Sequence, residues 1–410
     1  MVSRRDFLLS AAATAGLPLF GAVTDAGVNE TLPKWKAGEL DIHFIHTGCG
    51  EQTFFVFPDG TTMLLDCGDM YRPQYLQHVP LQPFPNRLGG EWVSRYVQRI
   101  VSERTIDYFA LTHWHSDHIG NPELRQETTK DGRIVCGITR FAEDFDIRHY
   151  FDHQYPHFGQ YARNVDAASM KMVRDWLPFM KRRCGMEAHP FTVGALNEIA
   201  LLKDRAAYPD FEIRNLFSNC IYWDGTGGLV DYKPEYARLN PSYGGGINEN
   251  TLSLGFRLRY GAFSAYFGGD IDFPAHEAKL GPIVGPIDIC KMNHHGCPSS
   301  MGATFCRAVD AQVYFGSVWS PNQITDANMP NMAARTASGA MPVVSRGYLP
   351  TVKREAYAGK PFMDAFAPAF GHTVFKVAPG GKTFDLYVVS AADESMQVLY
   401  RRTFTGRGLS

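Results

Sequence analysis

A chain of 410 residues with 45% hydrophobic composition is long enough to bury one large core or two smaller ones. Its 40 basic and 42 acidic residues leave a formal charge of -2, which gives no overall attraction to nucleic acid or to an anionic membrane surface. Eight cysteines without any CxxC spacing exclude a disulfide-rich scaffold and a cysteine zinc finger. They read as small buried hydrophobes, with one or two bridges left open.

Residues 1–30 read as an export signal and linker. A charged start is followed by a short apolar run rich in Ala, Gly and Leu and by small residues at positions 21–23. That run is shorter than the roughly 20 residues a bilayer requires, so no transmembrane span is expected beyond the signal. Ser3-Arg4-Arg5-Asp6-Phe7-Leu8 resembles the twin-arginine export signal. The resemblance implies passage through the twin-arginine machinery, already folded, to the periplasm or the medium.

One domain is expected over 38–410. Alternation predicts strands at 40–45 and 53–57, a Pro58-Asp59-Gly60 turn and a return strand at 61–65. Asp66-Cys67-Gly68-Asp69 ends that strand and is either a turn or the neighbour of a metal site. His43 and His46 read as ordinary strand or loop histidines. Trp92, Tyr96, Val97 and Ile100 form the stripe of a helix over 90–102. A buried strand ending near Ala110 then delivers Thr112-His113-Trp114-His115-Ser116-Asp117-His118-Ile119-Gly120. Three histidines and an aspartate within six residues offer a mixed nitrogen and oxygen donor set. Such a set suits zinc, iron or manganese better than calcium.

The second histidine-rich stretch, His149 to His157, contains Pro156 and reads as a strand end or rim loop. A helix over 166–183 follows, with Met170, Val173, Trp176 and Leu177 on its apolar face. The region around 190–248 reads as an insertion with glycine-rich loops that lack the context of a dinucleotide site or a P-loop. A hairpin of 251–259 and 262–267 ends in Gly268-Gly269-Asp270, and a strand at 287–292 ends in Asn293-His294-His295-Gly296. Three strand ends carrying His or Asp are expected to converge at one sheet edge. The region 320–410 reads as an embellished C-terminus, with strands near 372–377, 384–389 and 396–403 as a terminal hairpin or small sheet.

The histidine motif, the Gly269-Asp270 strand end and Asn293-His294-His295-Gly296 together resemble the metallo-β-lactamase fold superfamily. Within it they are similar to the branch of the hydrolase domain of competence-related DNA-uptake proteins, through Asn250-Thr251-Leu252-Ser253 and the paired histidines. The resemblance implies an α/β fold, a four-layer αββα sandwich, with two divalent metals at the sheet edge, zinc first and manganese or iron as alternatives. It places His113 and His115 on one metal and Asp117 and His118 on the other, with Asp270 bridging. His294 is favoured to complete the second metal, with His295 as the alternative. The third histidine of the first metal is not obvious, and His153 is the candidate, with His189 behind it.

Asp117 and Asp270 are the expected catalytic carboxylates. Asp66 is expected to support a histidine, and Asn250, Asn293, Lys291, Trp114 and Tyr243 are the candidate substrate contacts. The expected function is metal-dependent hydrolysis of a phosphodiester or other phosphate ester, small or polymeric, with no stable nucleic-acid partner. Lactone, lactam or thioester hydrolysis by the same fold is the enzymatic alternative. The other alternative is an exported binding protein that keeps the fold without turnover.

Overall fold

The computed structural model describes residues 30–241 and 246–408. The export signal and Tyr243 lie outside these residues. Two large mixed sheets face each other. The first runs Val398–Thr405, Thr383–Val389, His372–Val377, Leu40–Phe44, Thr53–Val56, Thr62–Leu65, Thr105–Leu111, Asp146–Asp152 and Glu187–Pro190 from edge to edge. The second runs Leu229–Asp231, Ile221–Trp223, Phe211–Ser218, Gly255–Tyr260, Phe263–Phe267, Ile289–Lys291, Val313–Gly316 and Val343–Arg346.

Alternation decides what fills each layer, because successive side chains on a strand point to opposite faces. Ile42, Phe44, Phe55, Met63, Leu65 and Ala110 of the first sheet meet Ile213, Phe256, Leu258, Phe267, Ile289 and Phe315 of the second in the central core. The opposite face of the first sheet, with Phe54, Leu64 and Phe109, takes the apolar stripes of the helices Gly89–Ile100 and Ala167–Cys184. Tyr266, Cys290 and Tyr314 of the second sheet are covered likewise by Leu280, Val284, Phe305 and Val309 from Pro274–Val284 and Ala303–Val309. The layers are helix, sheet, sheet, helix, the expected αββα sandwich.

The last three strands do not form a separate small sheet. His372–Val377 pairs antiparallel with Leu40–Phe44, so the C-terminal strands extend the first sheet. The strand expected over 251–259 starts only at Gly255. Glu249–Leu252 instead makes one 3-10 turn, entered through the Asn248 side chain, which accepts from the Asn250 N–H. All eight cysteines are free, so neither of the bridges left open forms. Among the described residues no helix is long and apolar enough to cross a membrane.

Each sheet contains one parallel run. Thr62–Leu65, Thr105–Leu111, Asp146–Asp152 and Glu187–Pro190 are parallel in the first. In the second the parallel run begins at Phe263–Phe267 and continues through Ile289–Lys291 and Val313–Gly316. Crevices at the carboxyl ends of parallel strands are where such sheets place ligands. Here the ends of both runs meet.

Candidate metal centre

Three loops build the base of the site. Asp66 leaves its strand at a φ of 59°, and the loop beyond it lies against the histidine motif. Cys67 N–H donates to the His118 carbonyl (2.8 Å) and Asp69 N–H to that of Ser116 (3.1 Å). The approach at Gly68 is so close that an added Cβ would lie 1.6 Å from the Asp117 carbonyl oxygen. From the other side Glu51 N–H donates to the same Asp117 carbonyl (2.8 Å). These contacts hold the motif backbone before any metal ligand is considered.

Three imidazoles then present one nitrogen inward because the other is held by an acceptor, and a fourth, His295, has a carboxylate behind it. His118 Nδ1 lies 2.8 Å from Asp66 Oδ2, and Asp66 also accepts from the Thr112 N–H (2.7 Å) and hydroxyl (2.8 Å). With its proton committed to Asp66, the Thr112 hydroxyl can accept from His113 Nδ1, 3.0 Å away. His295 Nδ1 faces Glu51 Oε2 at 3.0 Å, and His115 Nε2 faces the Asn164 carbonyl at 3.2 Å. Held imidazoles of this kind are the usual second shell of a metal ligand, since the outer hydrogen bond sets the tautomer and leaves the inner lone pair free.

The inner atoms converge. His118 Nε2 and His295 Nε2 lie 3.1 and 2.8 Å from Asp270 Oδ2, 3.7 and 3.2 Å from Asp117 Oδ2, and 3.4 Å from each other. A tetrahedron with metal bonds of about 2.0–2.1 Å has edges of about 3.3 Å, so these five separations are those of a zinc-like set. The second set is open. His113 Nε2 lies 3.2 Å from His115 Nδ1 and 4.0 Å from Asp270 Oδ2, and among the described residues no further histidine joins them. Glu51 also falls within reach of His118, Asp270 and His295. Its oxygens, however, face His295 Nδ1 and the Lys291 ammonium (2.7 Å), so it supports the site from behind.

Charge gives the same result. Glu51, Asp66, Asp117 and Asp270 are buried with one buried ammonium, Lys291, which also lies 3.2 Å from Asp270 Oδ1 and donates to the Gly269 carbonyl at 2.7 Å. Burial opposes charging His118 and His295, yet Asp270 and the neighbouring carboxylates hold both imidazoles well above their usual range. Burial and the nearby His118 and His115 push His113 well below it. Two protonated imidazoles 3.4 Å apart repel, whereas divalent cations between the same atoms would neutralise the carboxylates without that penalty. The residues therefore fit one or two divalent ions.

The structure departs from the sequence expectation at several positions. His295, not the favoured His294, joins the four-atom set. Asn293 is anchored to Glu277 (2.8 Å) and to the Tyr266 hydroxyl (3.1 Å), and the next two residues have φ of 43° and 53°. That left-handed turn brings His295 to Asp270 and leaves His294 on the cleft wall, with Nε2 3.2 Å from Asn250 Nδ2 and Nδ1 3.6 Å from Asp272. His153 does not join the first metal position. Its Nε2 is 2.9 Å from Glu249 Oε1 and its Nδ1 3.1 Å from Asp152 Oδ1. His189 lies on the edge strand beside His149.

Trp114 is fully buried, its indole N–H donating to Asp152 and its backbone N–H to Glu249, so it does not contact substrate. Asn293 and Lys291 are likewise buried and committed. Asn250 does line the cleft. Glu51, Glu249 and Asp272 were missed. Their one sequence signal is acidity at the exit of an apolar or glycine-rich stretch, which surface turns share.

The open metal position faces a cleft of about 650 Å³ lined in part by His115, Asp117, Asn121, Asn164, Asn250 and His294. Residues 46–160 match the family model described as the metallo-beta-lactamase superfamily. The chain has the fold of that superfamily and, at the joined strand ends, the candidate metal-binding active site of a metal-dependent hydrolase. Comparison with curated proteins returns no match. Among solved structures, a protein assigned as a metal-dependent hydrolase from Parabacteroides distasonis aligns at 12% identity and a TM-score of 0.33, over 74% of this chain and 92% of its own. A diphosphatase from the PhnP family aligns at 11% identity and a TM-score of 0.34, over 83% and 98%.

Proposed function

We propose that this protein hydrolyses phosphate esters, phosphodiesters first, outside the cytoplasm. The observation that carries the reading is the pairing of a complete four-ligand set with an open set facing a polar cleft. Structural metal sites are closed, whereas hydrolytic ones keep a position for water or substrate. Divalent ions held there would acidify a water and neutralise charge developing on the ester oxygens.

The chain's own groups supply the rest. Asp117, at the cleft, lies where a proton leaving the attacking water can be taken up, and Asp270 is the shared carboxylate of the metal set. His294, held between Asn250 and Asp272, stands on the cleft wall where it can position the substrate. Arg72 also lines the cleft, and its guanidinium Nε is buried without a hydrogen-bond partner, as suits an anionic substrate. A second reading, a lactone or thioester, is favoured by one wall where Met70, Tyr75, Leu124 and Trp319 pack together. The exported location rests on the resemblance of residues 3–8 to a twin-arginine signal.

Metal-replete protein should cleave nitrophenyl phosphodiesters, with activity abolished in His295→Ala and Asp270→Ala. Efficient cleavage of a thioester or lactone with every diester untouched would overturn the phosphate reading. Full metal content without turnover of any ester would favour a binding protein.

A further inference from the structure

Away from the cleft, at the outer edge of the first sheet, a second group of donors comes together. His149 on Asp146–Asp152 is in register with Glu187 on the short edge strand Glu187–Pro190, and Phe151 with His189. Alternate residues share a face, so His149, Glu187 and His189 project on the side that carries Tyr108 and Phe151, at the lip of the central core. Phe151 stacks on the His189 ring at 5.1 Å.

The same three atoms appear in every contact within the group. His149 Nδ1 is 3.3 Å from His189 Nε2, and Glu187 Oε2 is 3.8 Å from the first and 3.7 Å from the second. A hydrogen bond accounts for the shortest of these distances. It does not account for a carboxylate oxygen poised over both nitrogens beyond hydrogen-bond range. The point equidistant from the three atoms lies about 2.1 Å from each, the bond length of zinc to imidazole nitrogen and carboxylate oxygen.

We propose that His149, Glu187 and His189 form a further divalent-metal site, zinc by its donor set, separate from the catalytic centre. Its three ligands come from two neighbouring parallel strands, so a bound ion ties the four-residue edge strand to the sheet. The fourth position is left to water or a small anion. It adjoins a cavity of about 300 Å³ lined by Tyr108, Phe151, Pro190, Glu198 and Leu202.

Zinc stoichiometry of the full chain tests this independently of any activity. Metal-stripped protein is equilibrated with zinc, washed free of excess and its metal content measured, for the wild type, His189→Ala, His189→Gln and Glu187→Gln. The wild type should hold one equivalent more than either His189 variant, and Glu187→Gln should bind that equivalent at least 10-fold more weakly. Zinc should also raise the wild-type melting temperature by more than it raises that of His189→Gln, which keeps the side-chain bulk and so controls for folding. Equal stoichiometry in the wild type and both His189 variants would overturn the site, as would identical zinc-induced melting shifts.

Discussion

His153 offers a sharp test, because its two readings differ in both metal content and pH dependence. Enclosed between Glu249 and Asp152, it has its pKa raised to about 9, the two carboxylates outweighing the cost of burial. The folded chain then holds a proton that the unfolded chain releases near pH 6.5, so this residue stabilises the fold fully below pH 6.5. The contribution is lost as pH rises through about 9. At 1.36 kcal/mol per pKa unit the loss is about 3 kcal/mol.

The double substitution His153→Gln/Glu249→Gln removes the cation and one carboxylate together and keeps an oxygen to accept the Trp114 N–H. Urea denaturation of both proteins at pH 6, 7.5 and 9.5 compares their slopes, and distant groups cancel in the difference. The wild type should lose about 3 kcal/mol more than the variant across the range. Both ring nitrogens of His153 face carboxylates, so metal content should not change. Parallel curves within about 0.5 kcal/mol, or loss of one metal equivalent in the variant, would refute the charged-strut account and return His153 to the ligand set.

Two further outcomes follow from the geometry. His295→Ala should lose bound metal while His294→Ala retains it with lowered turnover, as metal analysis beside a diester assay would show; the reverse pattern would reinstate His294 as the ligand. Gly68→Ala sets a methyl group against the Asp117 carbonyl, so backbone must move; the variant should be poorly soluble or melt well below the wild type, and a normally stable, metal-binding protein would contradict the close approach.

Much of this was legible one strand at a time. The alternation at 40–45, 53–57 and 61–65 and the helical stripe at Trp92 and Val97 depend on neighbours close in sequence, and these elements form nearly where expected. The short motif from His113 to His118 is legible for the same reason. A strand end and a single turn put its ligands on one side. Where contacts from elsewhere decide, the local signal misleads. Residues 251–254 alternate as a strand does, but Glu249 is drawn in to accept the Trp114 N–H and to face His153, and the chain there makes a 3-10 turn instead.

Residue type and local periodicity therefore determine the individual strands and helices and the donor chemistry at the strand ends, while the αββα layering was implied by the resemblance of the motifs to a family. Which donors meet was decided by the tertiary structure. The choice between His294 and His295 depends on two left-handed residues anchored through Asn293 to Glu277, on another helix. The removal of His153 from the ligand set depends on Glu249, 96 residues away, and the support of His295 depends on Glu51, from the opposite sheet. A carboxylate's charge is written in the chain, but its role is set by which nitrogen it faces, and that is a property of packing.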